Sequence, residues 1–175
     1  MFFIPRTHPL SKLFFSLTLR ELPKAGVCDR EILEYVAGLL VRATRMENLF
    51  RLRDLKGKRI YEVGEMLAVA EKRKNKADLY SATGDCVLFL SGLFPEGLSR
   101  FWHLSVDDAI RIGKKVYYQA SRWSDKEKVF RKLSYLFEFC VMGLNYIKIE
   151  LSWLPVYEEM KRIVEGENYH PEIVW

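Results

Sequence analysis

Glutamine occurs once in this sequence and asparagine four times, against 28 lysines and arginines and 23 aspartates and glutamates. Amides are thermally labile and ion-pair networks hold up on heating, so this balance is expected of a protein that works at high temperature, or equally of a source whose composition is biased in this way. Cysteine is scarce as well. Cys28, Cys86 and Cys140 are odd in number, far apart and without a C-x-x-C pair, which excludes a disulfide framework and reads as three reduced core thiols. Long apolar runs are missing: the longest uncharged stretch, residues 86–95, has ten residues, about half of the ~20 a membrane-spanning helix needs. The first residues lack the basic n-region of a secretory signal, so a cytoplasmic protein is expected.

The usual chemical signatures are also lacking. The three histidines, His8, His103 and His170, fall in predicted loops, and no Glu-x-x-His pair places two ligands on one helical face. No His or Cys pair has zinc-ligand spacing. Glycine-rich phosphate loops, G-x-S-x-G elbows and dinucleotide fingerprints do not occur. No metal and no cofactor is therefore expected, and a non-enzymatic role is favoured because no nucleophile, base and orienter group together.

What is present is a chain of 175 residues, 49% apolar and 29% charged, long enough to bury a core of its own and too apolar to stay unfolded. Helical periodicity runs through nearly all of it. The spacing predicts helices over residues 11–22 (capped by Ser11), 29–43, 60–74, 76–94, 105–122, 125–153 and 156–164. Ser105 with Asp108 and Ser124 with Glu127 have the spacing in which a hydroxyl and a carboxylate satisfy a helix N-terminus together. Residues 54–58 have a turn composition that would close a short hairpin or link two helices, and a plain link is preferred. Pro95 and Gly97 are read as a helix stop. The expected fold is all-α: one domain over residues 1–175, a bundle or array of about seven helices around a long central helix near residues 125–153. Residues 1–10 would form an arm and residues 167–175 a tail.

Three groupings are candidates for function. Asp85 lies where its helix becomes apolar all round, and Glu138 and Asn145 share a face of the predicted central helix. If the two helices face each other, Asp85, Glu138 and Asn145 form a polar pocket for a small ligand or a reaction. The alternative is that Asp78, Ser81 and Asp85 trace one polar stripe that meets solvent or an arginine. The second grouping is basic: Arg111, Lys115, Tyr118 and Arg122 recur at helical spacing with Lys114 alongside, a face that would follow phosphates of a nucleic acid or another anion. At a net charge of +5 a merely solvated face is the plainer reading. The third is aromatic: Phe2, Phe3, Phe101, Trp102, Tyr169 and Trp175 would mark an interface if exposed, or pack back onto the body. Gly84, Ser91 and Gly92 would let a neighbouring helix come close.

The run Gly84-Asp85-x-x-Leu88-Phe89-x-x-Gly92-Leu93-Phe94-Pro95, with His8-Pro9-Leu10 near the start, resembles an uncharacterised family of small bacterial helical proteins. That resemblance implies a bacterial origin and carries over no catalytic residue. The leading expectation is thus a helical interaction or structural protein, a homo-oligomer or the partner of another protein. A pocket-bearing binder or enzyme is the alternative, and nucleic-acid or anion binding through the basic face is the third reading.

Overall fold

A computed structural model describes residues 8–165. Among them are nine α-helices and one 3-10 turn: α1 (Pro9–Glu21), the turn Leu22–Ala25, α2 (Arg30–Arg42), α3 (Met46–Leu49), α4 (Val63–Lys72), α5 (Lys76–Leu93), α6 (Pro95–Trp102), α7 (Val106–Ser121), α8 (Glu127–Leu151) and α9 (Pro155–Glu165). The all-α class stands. No described helix is long and apolar enough to cross a membrane.

Local chemistry explains most boundaries. Asp29 caps α2 by accepting from the amides of Glu31 and Ile32, and Ser105 caps α7 by accepting from Asp108, each satisfying amides that lack a helical partner. Four expectations are corrected. His8, with its ring nitrogen accepting from Leu10, starts α1, and Ser11 lies buried inside it. Ser124 accepts from Lys126 but does not cap α8, which begins at Glu127 without a side-chain cap bond. Pro95 opens α6 instead of ending the helical region, because a proline needs no amide partner in a first turn. Residues 52–60 form a miniature hairpin and not a plain link: Arg53 bridges Arg59, Ile60 donates to Leu52, and the Asp54 carboxylate accepts from the amides of Lys56 and Lys58. Gly57, at φ 81°, supplies the left-handed residue this turn needs.

The core is built around α5, buried along nearly its whole length, with α7 and α8 packed closely on it and α4 alongside. Two glycines set the approach. A Cβ on Gly84 would stand 2.7 Å from the Tyr117 ring, and one on Gly113 would stand 2.0 Å from the Phe137 ring, so each ring occupies the space a side chain would fill. Gly92 does the same for Leu144. α8 buries Phe130, Leu133, Phe137, Cys140, Leu144, Ile147 and Leu151 along its inner face, as its periodicity predicts. It is not central, however: its other face is open to solvent, and α5 holds the middle.

At the end of α1 a buried carboxylate, Glu21, is gripped by Arg20 at 2.6 Å and Lys24 at 2.7 Å. The hydrogen bonds from Arg20 and Lys24 hold its pKa below the ordinary 4.5, outweighing burial. A carboxylate lowered in the folded state contributes stability that is complete above the unfolded value and lost as pH falls through the folded one. Glu21→Gln is therefore expected to lower stability at pH 7 and to flatten the acid limb below about pH 4.5, read by urea unfolding at stepped pH. An acid limb identical to that of the parent would exclude Glu21 as its source.

Candidate functional site

Asp85 is a buried carboxylate surrounded by four polar side chains. It sits on α5 with 3% of its surface exposed. One carboxylate oxygen accepts from the Tyr35 hydroxyl at 2.7 Å and the Tyr117 hydroxyl at 2.9 Å. The other accepts from Arg42 at 3.2 Å, with an Arg51 nitrogen at 3.9 Å. Arg51 also reaches Asp78 and Ser81 at 3.2 and 3.4 Å, so the polar stripe Asp78, Ser81 and Asp85 does meet an arginine. Burial, reinforced by the Asp85 charge, pushes both phenols well above the ordinary tyrosine range, so both remain donors. Burial would lower the Arg42 guanidinium, yet the Asp85 charge and the adjoining phenols hold it above its ordinary value. The rings stack around this knot: Tyr35 edge-on to Tyr117 at 6.2 Å and Tyr117 parallel to Phe130 at 6.0 Å. Two phenols and two guanidinium groups, drawn from α2, α7 and the segment after α3, meet one carboxylate of α5. Such an arrangement fixes helices relative to one another and leaves the carboxylate no free oxygen for a ligand.

The expected pocket of Asp85, Glu138 and Asn145 does not form. Glu138 and Asn145 both lie exposed on the outer side of α8, where Glu138 pairs with Lys114 at 3.4 Å. The physical reason is register: the inner α8 face carries Phe137 against Gly113 of α7 and Leu144 against Gly92 of α5, and Glu138 and Asn145 are each one position beyond these. Sequence reasoning missed Tyr35, Tyr117, Arg42 and Arg51 as the partners of Asp85. The signal for Arg42 and Tyr35 was weak but present, a seven-residue spacing on one side of α2.

The basic face is where the spacing placed it. Arg111, Lys115, Tyr118 and Arg122 are exposed along α7 and its C-terminal cap, with Lys114 partly buried. Arg111 is paired with Asp108 and Lys114 with Glu138, which neutralises two of the four cations and leaves Lys115 and Arg122 without a described ion-pair partner. Among the described residues no group of three His, Cys, Asp or Glu side chains would hold a metal ion. The thiol reading needs one correction, since Cys28 is exposed. Cys86 and Cys140 are buried; burial raises the Cys86 thiol far above its ordinary value and pushes Cys140 up to about 12, so neither forms a thiolate nucleophile near neutral pH.

Of the expected aromatic surface, Trp102 is buried and donates its ring N–H to the Tyr61 carbonyl at 2.7 Å. Phe2, Phe3, Tyr169, Trp175 and the Phe101 side chain lie outside the described residues. A different apolar surface takes their place. Along the outer side of α8 and the turn that follows, Tyr135, Phe139, Met142, Ile149 and Trp153 are 83, 46, 41, 63 and 86% exposed, and the half-buried Tyr146 completes the row. The six recur at intervals of four, three, four, three and four residues, the 3.5-residue period of a helix seam that packs against another helix. Taking roughly 150–250 Å² for each large side chain, the exposed parts amount to about 700 Å², more than the few hundred Å² a monomer ordinarily shows in one patch. At its C-terminal end the row borders a shallow depression lined by Glu21, Lys24, Tyr146, Ile149 and Glu150, where Arg20 pairs with Glu150 at 3.2 Å. The periodic signal for this row was in the sequence, superimposed on the inner stripe of the same helix, and an apolar helix with two stripes reads as buried. No family model, curated protein or solved structure matches this chain.

Proposed function

We propose that this chain is a non-enzymatic helical interaction protein whose working surface is the outer row of α8. The observation that carries the reading is the exposure of Tyr135, Phe139, Met142 and Ile149 at seam spacing along the 25-residue α8, continued by Trp153 in the turn that follows. Leaving that much apolar surface in water is unfavourable by roughly 25 cal/mol per Å², and a partner removes the penalty. Helix-to-helix recognition uses such anchors at successive turns. The polar knot at Asp85 supports the same reading from the other side, since its groups are spent on holding α2, α5 and α7 together. A reducing, cytoplasmic setting suits the exposed thiol of Cys28.

The test is a paired substitution on the row. Tyr135→Lys with Ile149→Lys alters two side chains that are 83 and 63% exposed, so the urea midpoint of the dilute protein is expected to stay within about 0.5 kcal/mol of the parent. In gently lysed cells, the parent is expected to elute on a sizing column well above its 20.6 kDa chain mass, and the double variant to elute later. A parent that elutes as a single chain, or a variant that elutes with it, would count against an interaction surface on α8.

A further inference from the structure

We infer that the partner of the α8 row is a second copy of this chain, bound with the two α8 helices antiparallel about a two-fold axis near residue 144. The inference rests on the interaction reading above and names its partner. Area is the first argument: about 700 Å² of exposed apolar side chain on one copy approaches the ~800 Å² per partner that a stable interface of standard size buries. Self-complementarity is the second. A two-fold interface requires that residue i meet j while j meets i, and pairing about residue 144 sets Tyr135 against Trp153, Phe139 against Ile149 and Met142 against Tyr146, every member of the row facing another member.

Charge selects the orientation. Continued toward the N-terminus at the same spacing, the row runs into Lys132, which is paired with Asp29 at 2.6 Å and Glu31 at 3.1 Å, and then Lys128, which is exposed. A parallel pair would set Lys128 of one copy against Lys128 of the other. The antiparallel pair places the two Lys128 side chains at opposite ends of the seam, where they do not repel each other. Glu138 and Asn145 then find their place. They flank the seam as its polar edge, with Asn145 lying close to the axis and so near its own counterpart.

The experiment uses the full chain with the exposed Cys28 replaced by serine. Sedimentation equilibrium is expected to show a dimer that dissociates on dilution, and Tyr135→Lys with Ile149→Lys is expected to raise the dissociation constant by on the order of a hundredfold. A cysteine at Asn145→Cys is expected to cross-link between copies with a short bis-maleimide, since packed helices lie about 8–10 Å apart. Tyr135→Cys is not, because antiparallel pairing puts the two copies of that position about 27 Å apart at 1.5 Å per residue. Efficient cross-linking at Tyr135→Cys, whatever Asn145→Cys does, would overturn the antiparallel arrangement. A parent that stays a single chain at 100-micromolar concentrations, to order of magnitude, would overturn the second copy as partner; if the cell extract still holds it in a larger complex, the interaction surface survives with a different protein on it.

Discussion

Asp85→Ala is expected to cost about 3–5 kcal/mol of folding stability, the range found when one partner of a buried ion pair is removed. The size follows from what is left behind. The carboxylate accepts from Tyr35 and Tyr117 and offsets Arg42 and Arg51; without it two buried hydroxyls lose their acceptor and two guanidinium groups lose their counter-charge. Against the ~5–15 kcal/mol that a domain of this kind possesses, that is a fifth of the total or more. Tyr35→Phe, by contrast, removes one hydrogen bond of several and is expected to cost only about 1–2 kcal/mol. Urea unfolding of the pair reads the difference. Asp85→Ala within about 0.5 kcal/mol of the parent, the range of an ordinary surface change, would mean that the knot contributes nothing to holding α2, α5 and α7.

Gly113→Ala is the second large effect, and here two terms oppose each other. Alanine is favoured over glycine inside a helix by about 1 kcal/mol. The new Cβ, however, would lie 2.0 Å from the Phe137 ring tip and 2.2 Å from its edge. That ring is fully buried and rests at 5.9 Å on Tyr117, itself bonded to Asp85, so it has nowhere to turn without disturbing the polar knot. Overpacking of this kind costs about 1–3 kcal/mol or more, and so close an approach belongs at the upper end; a net loss of about 2 kcal/mol is expected. Combining Gly113→Ala with Phe137→Leu should recover part of it, the non-additivity that marks direct contact. Gly64, whose Cβ position is open, is the control: Gly64→Ala is expected to be neutral or to stabilise by about 0.5 kcal/mol. Equal effects at positions 64 and 113 would contradict the close approach of α7 and α8.

Most of the helices were legible in the sequence because their signals are local. A capping aspartate at 29, a capping serine at 105 and an apolar stripe of the right period each act within one or two turns, whatever the rest of the chain does. The short helices α3 and α6 and the hairpin at residues 52–60 were less legible: α6 starts at a proline that reads equally well as a stop, and a single bridge between Arg53 and Arg59 leaves no alternation to detect. Candidate sites depend on which face of one helix meets which face of another, and periodicity alone does not supply that. Glu138 and Asn145 share a face, as predicted, but it is the face turned away from Asp85. The same limit hid the outer row of α8. Two apolar stripes on one helix imply two packing partners, and only one of them is found within the described chain.

The central claim is that the outer row of α8 is covered when the protein is at work. Hydroxyl-radical footprinting in intact cells, compared with the purified chain at nanomolar dilution, measures that covering residue by residue. Tyr135, Met142 and Trp153 are expected to be several-fold less reactive in cells than in dilute solution, while Trp123, exposed elsewhere with Lys76 above its ring at 4.9 Å, reacts equally in both. Equal reactivity of the whole α8 row in the two states would contradict the account.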